Sequence, residues 1–180
     1  MWYIFSSALI VNVLLEENCF LISLKEMNMK EPNISIYTDG GCLGNPGVGA
    51  WAYVLVDKDI FASDSGYEER TTNNRMELSA VIEALRHCEK HYATAHLLLF
   101  SDSQYVVRGA VEWLPAWKKK QWKGSNRKII QNVEFWKSLD ALAQLLTIEW
   151  KWVPGHADVR YNEFCHEMVH STIKRAQSLR

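Results

Sequence analysis

Three acidic residues and one histidine, far apart in the chain, stand where side chains can do chemistry. Asp39 follows a stretch in which Ile34, Ile36 and Thr38 alternate with Ser35 and Tyr37, the period-two pattern of a strand. Gly40-Gly41 and the turn Gly44-Asn45-Pro46-Gly47 come directly after it. Asp39 is therefore expected where the strand ends and the backbone becomes permissive enough for another backbone to approach; a plain turn-forming role is the alternative. Asp102 repeats the situation. Ala95–Ser101 (AHLLLFS) is a continuous apolar run, read as a strand covered on both faces, and it ends in Ser101-Asp102-Ser103. Ligands gather at the carboxyl ends of such strands, although Asp102 also fits as the N-cap of a helix over Gln104–Val111. Glu77 belongs to Asn73–Lys90, where Met76, Ala80, Val81, Ala84, Leu85 and Cys88 mark an apolar helix face and Asn73 or Asn74 is the expected N-cap. Glu77 falls in line with Val81, Ala84 and Cys88. An ionised carboxylate there must be paired or bind a cation, unless it serves only the helix dipole. His156 sits in the glycine-bearing loop Pro154-Gly155-His156-Ala157-Asp158, free to move. A lone loop histidine is more often incidental than catalytic, but a position on the same sheet edge as Asp39 and Asp102 would favour a catalytic role.

If Asp39, Glu77 and Asp102 converge, their mutual repulsion demands cations. An oxygen-only site with open positions suits Mg²⁺, or Mn²⁺ in its place. Two such ions about 3.5–4 Å apart clamp an in-line phosphodiester cleavage. A second region points toward the same substrate class. Lys118, Lys119, Lys120, Lys123, Arg127 and Lys128 come with no acidic residue between them, interleaved with Trp117 and Trp122. Lysines neutralise phosphates and indoles offer flat contact to sugars or bases, whereas the plainer alternative is a solvated face beside core tryptophans.

The elements that must hold these groups read as α/β. Val48–Asp57 and Ile60–Arg70 continue the first strand into an antiparallel meander. Gln131–Leu142 and Tyr161–Ala176 have helical spacing, and Thr147–Val153 alternates as a half-exposed outer strand. With 180 residues, 48% hydrophobic and 23% charged, the chain suits one folded domain rather than a disordered segment. The four cysteines form no CxxC pair, which argues against a zinc ribbon or disulfide framework and suits a reducing cytoplasm. Residues 1–31 differ from the rest. Trp2–Leu15 is apolar but short for a bilayer, and no Lys or Arg precedes Lys25 as a secretory leader would require. Three readings stay open: translation from a start upstream of Met27 or Met29, an anchor, or a helix packed on the domain.

Taken in order, YTDGGCLGNPGVGAWAYVL, TTNNRMELSAVIEAL, SDSQYVVRGAVEWL, WKKKQWK and WVPGHADVRYNEFC resemble the motifs of bacterial ribonuclease HI across Asn33–Ala176. The resemblance implies a ribonuclease H-like domain over residues 32–178. Its fold would be a five-stranded mixed sheet, strands 1–3 an antiparallel meander and strands 4 and 5 parallel to strand 1, flanked by helices. It also implies a monomeric cytoplasmic endonuclease that cuts the RNA strand of RNA–DNA hybrids with two Mg²⁺ ions when substrate is bound, leaving 3′-hydroxyl and 5′-phosphate ends. By the same resemblance Asp39 would bridge both metals, Glu77 and Asp102 would complete one shell, and His156 would move the proton or help product leave. Cys42, Asn45, Asn73, Asn74 and Gln104 would lie in the hybrid's minor groove, where 2′-hydroxyls distinguish RNA. Thr72 would hold a DNA phosphate. Trp113, Trp117, Lys118, Lys119, Lys120, Trp122 and Lys123 would belong to the basic protrusion that grips the DNA strand.

One position departs from the pattern. Where the family carries a fourth carboxylate after Asn162-Glu163-Phe164-Cys165, this chain has His166, then Glu167. Imidazole ligates divalent ions but removes a negative charge and favours Mn²⁺ over Mg²⁺. His166 is thus expected as a catalytic metal ligand with relatively better Mn²⁺ support; the plainer alternative is that it is simply tolerated there. Glu167 could replace it only by rotating the helix about 100° per residue. His166 and His170 also have the i,i+4 spacing of a helical metal pair. The competing readings are a weakened hybrid-binding module and a resolvase- or integrase-type nuclease, and the second would lack TTNNRMEL and WKKKQWK.

Overall fold

The computed structural model describes residues 33–155 and 160–179, so the expectations for residues 1–31 and for His156 lie outside the described residues. Five strands form one mixed sheet: β1 (Asn33–Leu43), β2 (Gly47–Asp57), β3 (Asp59–Thr71), β4 (His96–Ser101) and β5 (Thr147–Trp152), in the spatial order β3-β2-β1-β4-β5. The first three are an antiparallel meander; β4 runs parallel to β1, and β5 parallel to β4. This is the expected sheet.

The helices are α1 (Asn73–His91), α2 (Gln104–Arg108), α3 (Leu114–Lys119), α4 (Val133–Ala143) and α5 (Arg160–Ser178). On one face of the sheet, Leu78, Val81 and Leu85 of α1 pack on Ile36, Leu55, Leu97 and Leu99, joined by Trp136 and Leu139 of α4. On the other, Cys165, Val169, Ile173 and Ala176 of α5 cover Ala50, Ala52, Val54 and Val56 of β2. Each fully buried aliphatic side chain here contributes about 1.5–3 kcal/mol of transfer free energy. Among the described residues, no helix is long and apolar enough to cross a membrane.

Several local expectations are corrected. β1 does not stop at Asp39; it runs on through Gly40-Gly41 to Leu43, paired with β2 as far as Leu43↔Val48. β4 is not covered on both faces: Leu97 and Leu99 are buried, whereas Leu98 and Phe100 are only half-buried, because α5 lies over β2 rather than β4. Phe100 finds partial cover by stacking on Tyr37 at 4.8 Å. The N-cap position of α1 is Thr72, not Asn73 or Asn74, and its side chain makes no capping bond. Instead Asn45 Oδ1, from the β1–β2 turn, accepts from the Asn73 N–H at 3.3 Å, so the first helical turn is satisfied from across the chain. The expected helix over Gln104–Val111 breaks into α2 and a π-helical turn, Gly109–Trp113.

Candidate active site

The sheet opens where the acids meet. The β1–β4 ladder ends at Thr38↔Ser101, and beyond that point β1 continues with β2 alone. Asp39 is the first β1 residue past the split, and Asp102 the first residue past β4. Asp102 is released from capping, because Ser103 is the N-cap of α2 and its hydroxyl accepts from the Val106 N–H. Glu77 comes to the same place because α1 crosses β1 at Gly40. A Cβ on Gly40 would lie 2.2 Å from the backbone nitrogen of Glu77, so only glycine permits the crossing. One carboxylate oxygen from each of Asp39, Glu77 and Asp102 lies within 4.8 Å of the other two.

This convergence is electrostatically costly. Burial pushes the Glu77 carboxyl well above the usual glutamate range, and the neighbouring Asp39 and Asp102 raise it further. Asp39 is also raised, first by burial and then by Asp102, while His166 and the Gly40 N–H pull in the opposite direction. Gly40 donates to Asp39 Oδ1 at 2.9 Å. Glu77 Oε2 is buried with no hydrogen-bond partner. Three crowded acids and an orphaned buried oxygen fit a hard divalent cation, which would repay both the repulsion and the missing bond.

Asp102 is held by groups that the sequence reading did not single out. The Trp152 indole N–H donates to its backbone carbonyl at 3.0 Å, and Asn162 Nδ2 makes a long 3.5 Å contact to Oδ2. Asn162 is buried, and its Oδ1 has no partner. A Cβ on Gly155 would lie 2.9 Å from Asp102 Oδ2, so the loop leading to His156 lies hard against this carboxylate. The available signal was spacing: Asn162, His166 and His170 recur every four residues and therefore share one face of α5.

His166 stands beside the trio as a partner of Asp39, its Nδ1 3.0 Å from Oδ2. The mutually close ligand atoms are those of Asp39, Glu77 and Asp102. Glu167 instead lines a groove with Ser65, Met168 and Arg175, on another side of α5.

Of the expected substrate contacts, one group gathers around the first turn of α1. Asn45 bonds Asn73, and the Cys42 thiol donates to the carbonyls of Gly44 and Thr71. Thr72 and the exposed Asn73 and Asn74 follow directly, while Gln104 is exposed at the start of α2. The basic residues divide. Lys118 is tied to Asp140 of α4 at 2.9 Å, whereas Lys119, Lys120 and Lys123 are exposed. Trp113, Trp117 and Trp136 form a chain of edge and tilted contacts, 5.6 and 5.2 Å between centroids, that ends in the fully buried Trp136. Trp122 is half-buried, with Lys137 Nζ over its ring at 5.9 Å.

A mixed sheet split by one strand's end, with three acids poised for divalent cations at the opening, defines a class of metal-dependent phosphoryl-transfer folds. The chain belongs to the ribonuclease H family, type 1: residues 31–174 match the RNase H family model. It is 42% identical over 145 residues to a ribonuclease H of Wolbachia (strain wRi), covering 81% of this chain and 98% of that one. It is 48% identical over 137 residues to a ribonuclease H of Aeromonas salmonicida, covering 76% and 87% respectively. Among solved structures, it is similar to LC9-RNase H1, a type 1 RNase H with the type 2 active-site motif, at 30% identity and a TM-score of 0.70 over 79% of this chain and 72% of that one.

Proposed function

We propose that this protein hydrolyses the RNA strand of RNA–DNA hybrids endonucleolytically, using two Mg²⁺ ions and leaving 3′-hydroxyl and 5′-phosphate ends. The observation that carries the reading is the meeting of Asp39, Glu77 and Asp102 within 4.8 Å beside an orphaned Glu77 oxygen. Divalent ions held there supply Lewis-acid polarisation of the scissile phosphate and acidify the attacking water. Asp39, Glu77 and Asp102 would hold these ions, with Asp39 the ligand shared by both, as the family resemblance implies. Gly40 orients it through the N–H to Oδ1, and His166 through Oδ2. His156 takes or returns the proton from its loop. Asn45, Asn73, Asn74 and Gln104 read the minor groove, and the exposed Lys119, Lys120 and Lys123 neutralise phosphates of the DNA strand. Residues 32–178 carry the activity as a cytoplasmic monomer, so a chain starting at Met29 retains full cleavage.

The test is cleavage of a labelled RNA–DNA duplex set against single-stranded RNA, double-stranded RNA and double-stranded DNA, with Mg²⁺ or Mn²⁺. Cutting confined to the hybrid's RNA strand, abolished in Asp39→Asn, is the expected result. Tight hybrid binding without cutting under either metal would leave a binding module instead. His166 adds a finer test. With imidazole in place of the family's fourth carboxylate, Mn²⁺ supports a higher rate than Mg²⁺, and His166→Asp closes the gap. Equal rates with both ions, unchanged by His166→Asp, would remove the metal role of His166.

A further inference from the structure

His170 has no part in the proposed cleavage, yet it stands against His166, the imidazole that does. His166 and His170 lie one turn apart, with their Nε2 atoms 3.0 Å from each other and their rings nearly perpendicular at 79°. The other ring nitrogen of His166, Nδ1, is 3.0 Å from Asp39 Oδ2. When Asp39 is ionised its Oδ2 can only accept, so Nδ1 carries the proton, and a neutral His166 then has its lone pair on Nε2, toward His170. Carboxylate, imidazole, then metal is the order found at transition-metal sites, where the outer carboxylate fixes the tautomer and raises the ring's basicity. Two imidazole nitrogens bound cis to one ion at about 2.0–2.1 Å lie about 2.9–3.4 Å apart, and the pair is already at that separation. The site is reachable, since His170 is exposed and more than a third of the His166 side chain is exposed (38%).

We propose that His166 and His170 chelate a divalent late first-row transition ion of the Zn²⁺ class beside Asp39, Glu77 and Asp102, and that its occupancy inhibits cleavage by engaging His166 in place of its role at the catalytic ions. The discrimination is chemical. Imidazole pairs select Zn²⁺, Ni²⁺ or Cu²⁺, whereas Mg²⁺ prefers oxygen and dehydrates reluctantly. A cation on His166 Nε2 makes the Nδ1–H a stronger donor to Asp39 Oδ2, which holds that oxygen away from the catalytic ions. The inhibitory half rests on the proposed cleavage activity; the binding half does not. The chain carries an internal control in His87 and His91, also four apart on α1. There the His87 Nδ1 bonds the Tyr53 hydroxyl rather than a carboxylate, and the ring centroids are 4.9 Å apart, against 4.4 Å for His166 and His170.

The experiment titrates Zn²⁺ into the full chain without substrate, in excess Mg²⁺ to occupy the trio, in competition with a chromogenic chelator. Loss of an outer carboxylate partner typically weakens a site about 10–100-fold, and loss of a ligand should cost no less, so His170→Ala is expected to weaken Zn²⁺ binding about tenfold or more. His91→Ala should leave it unchanged. With Cu²⁺ as a second probe, the electron paramagnetic signal should show two coupled imidazole nitrogens in the wild type and one in His170→Ala. Zn²⁺ should inhibit Mg²⁺-supported hybrid cleavage, and His170→Ala should keep the basal rate while shifting the inhibition by the same factor. Unchanged Zn²⁺ affinity in His170→Ala, or equal loss in His91→Ala, overturns the site. A binding shift without a matching inhibition shift overturns the inhibitory role alone. A binding shift in a protein that cuts no hybrid in Mg²⁺ alone supports the site and removes the nuclease reading instead.

Discussion

The carboxylate opening and the tryptophan-lysine segment solve opposite problems. At the opening, charge is concentrated: Asp39 and Glu77 are buried, both carboxyls are raised by burial and by their acidic neighbours, and a Glu77 oxygen has no partner. Rigid elements hold this unfavourable state, namely the β1–β2 pairing, the α1 crossing at Gly40 and the N-cap of α2 on Ser103. In the basic segment charge is spread over solvent, and the chain turns through left-handed residues at Gln121, Trp122 and Arg127. What anchors that segment is apolar, Trp113 leaning on Trp117 and Trp117 meeting Trp136 edge-on. The first region stores repulsion for a cation to relieve, and the second presents cations on an apolar footing. Substitutions should therefore separate activity from stability at the opening and join them at the anchor.

The largest separation is expected for Asp39→Asn. If Asp39 holds the catalytic ions as proposed, losing its carboxylate should remove several kcal/mol of transition-state stabilisation, roughly a thousandfold in kcat for hybrid cleavage. The same variant should unfold no more easily than wild type in chelator, because a buried charge has gone. A loss of cleavage accompanied by a large loss of stability would mean that Asp39 supports the fold and would erase the contrast. Next comes Trp136→Ala at the anchor. Its ring is fully buried, and its indole N–H donates to the Tyr105 hydroxyl at 3.1 Å. Removing it should cost about 3–5 kcal/mol by urea unfolding and loosen the basic segment with it. A cost under about 1 kcal/mol would show that this anchor is dispensable.

How far each region was legible in the sequence follows the same division. Asp102 could be placed because a continuous apolar run marks a strand end by local pattern alone, and Asp39 because alternation puts it on β1, although the strand does not end there. Glu77 could be placed because helical periodicity fixes its face. Gly40 and Gly41 were misread as the end of β1, since glycine signals a turn locally. Their use here is long-range, with Gly40 making room for α1 and Gly41 facing Val169 of α5. Asn45 satisfying the first turn of α1 was equally invisible, because the donor and acceptor are 28 residues apart. In the basic segment, sequence gave charge but not partners: nothing local distinguishes Lys118, tied to Asp140, from exposed Lys119. The i,i+4 spacing of His166 and His170 was readable, but the Asp39 contact that sets the His166 tautomer was not.

The lysines sharpen the contrast at smaller scale. Replacing Lys119, Lys120 and Lys123 together with alanine should weaken hybrid binding and lower the salt dependence of log affinity by about 2–3, one phosphate contact per lysine. Because these side chains are exposed, stability should move by no more than about 0.5 kcal/mol. Fluorescence anisotropy across a salt series measures both slopes, and an unchanged slope would show that these lysines face solvent rather than substrate.

The smallest effect tests the stored repulsion itself. Glu77 and Asp39 have higher pKa values folded than unfolded, so between those values the folded state binds more protons and stability falls as pH rises. Below the unfolded carboxylate range, near pH 4, both states are protonated and the penalty is absent; above the raised folded values it is present in full. Metal-free protein should therefore lose stability from about pH 4 toward neutrality through these two groups, against whatever the other carboxylates contribute. Glu77→Gln, which keeps the shape and removes the charge, should flatten that fall and raise metal-free stability at neutral pH by about 1 kcal/mol or more. Mg²⁺ should stabilise the wild type at neutral pH, little near pH 4, and Glu77→Gln less at either. Urea unfolding in chelator and in Mg²⁺ at both pH values gives the four comparisons. If Glu77→Gln instead destabilised the metal-free protein at neutral pH, the carboxylate would have to be satisfied by the protein alone, and the opening would hold no repulsion for a cation to relieve.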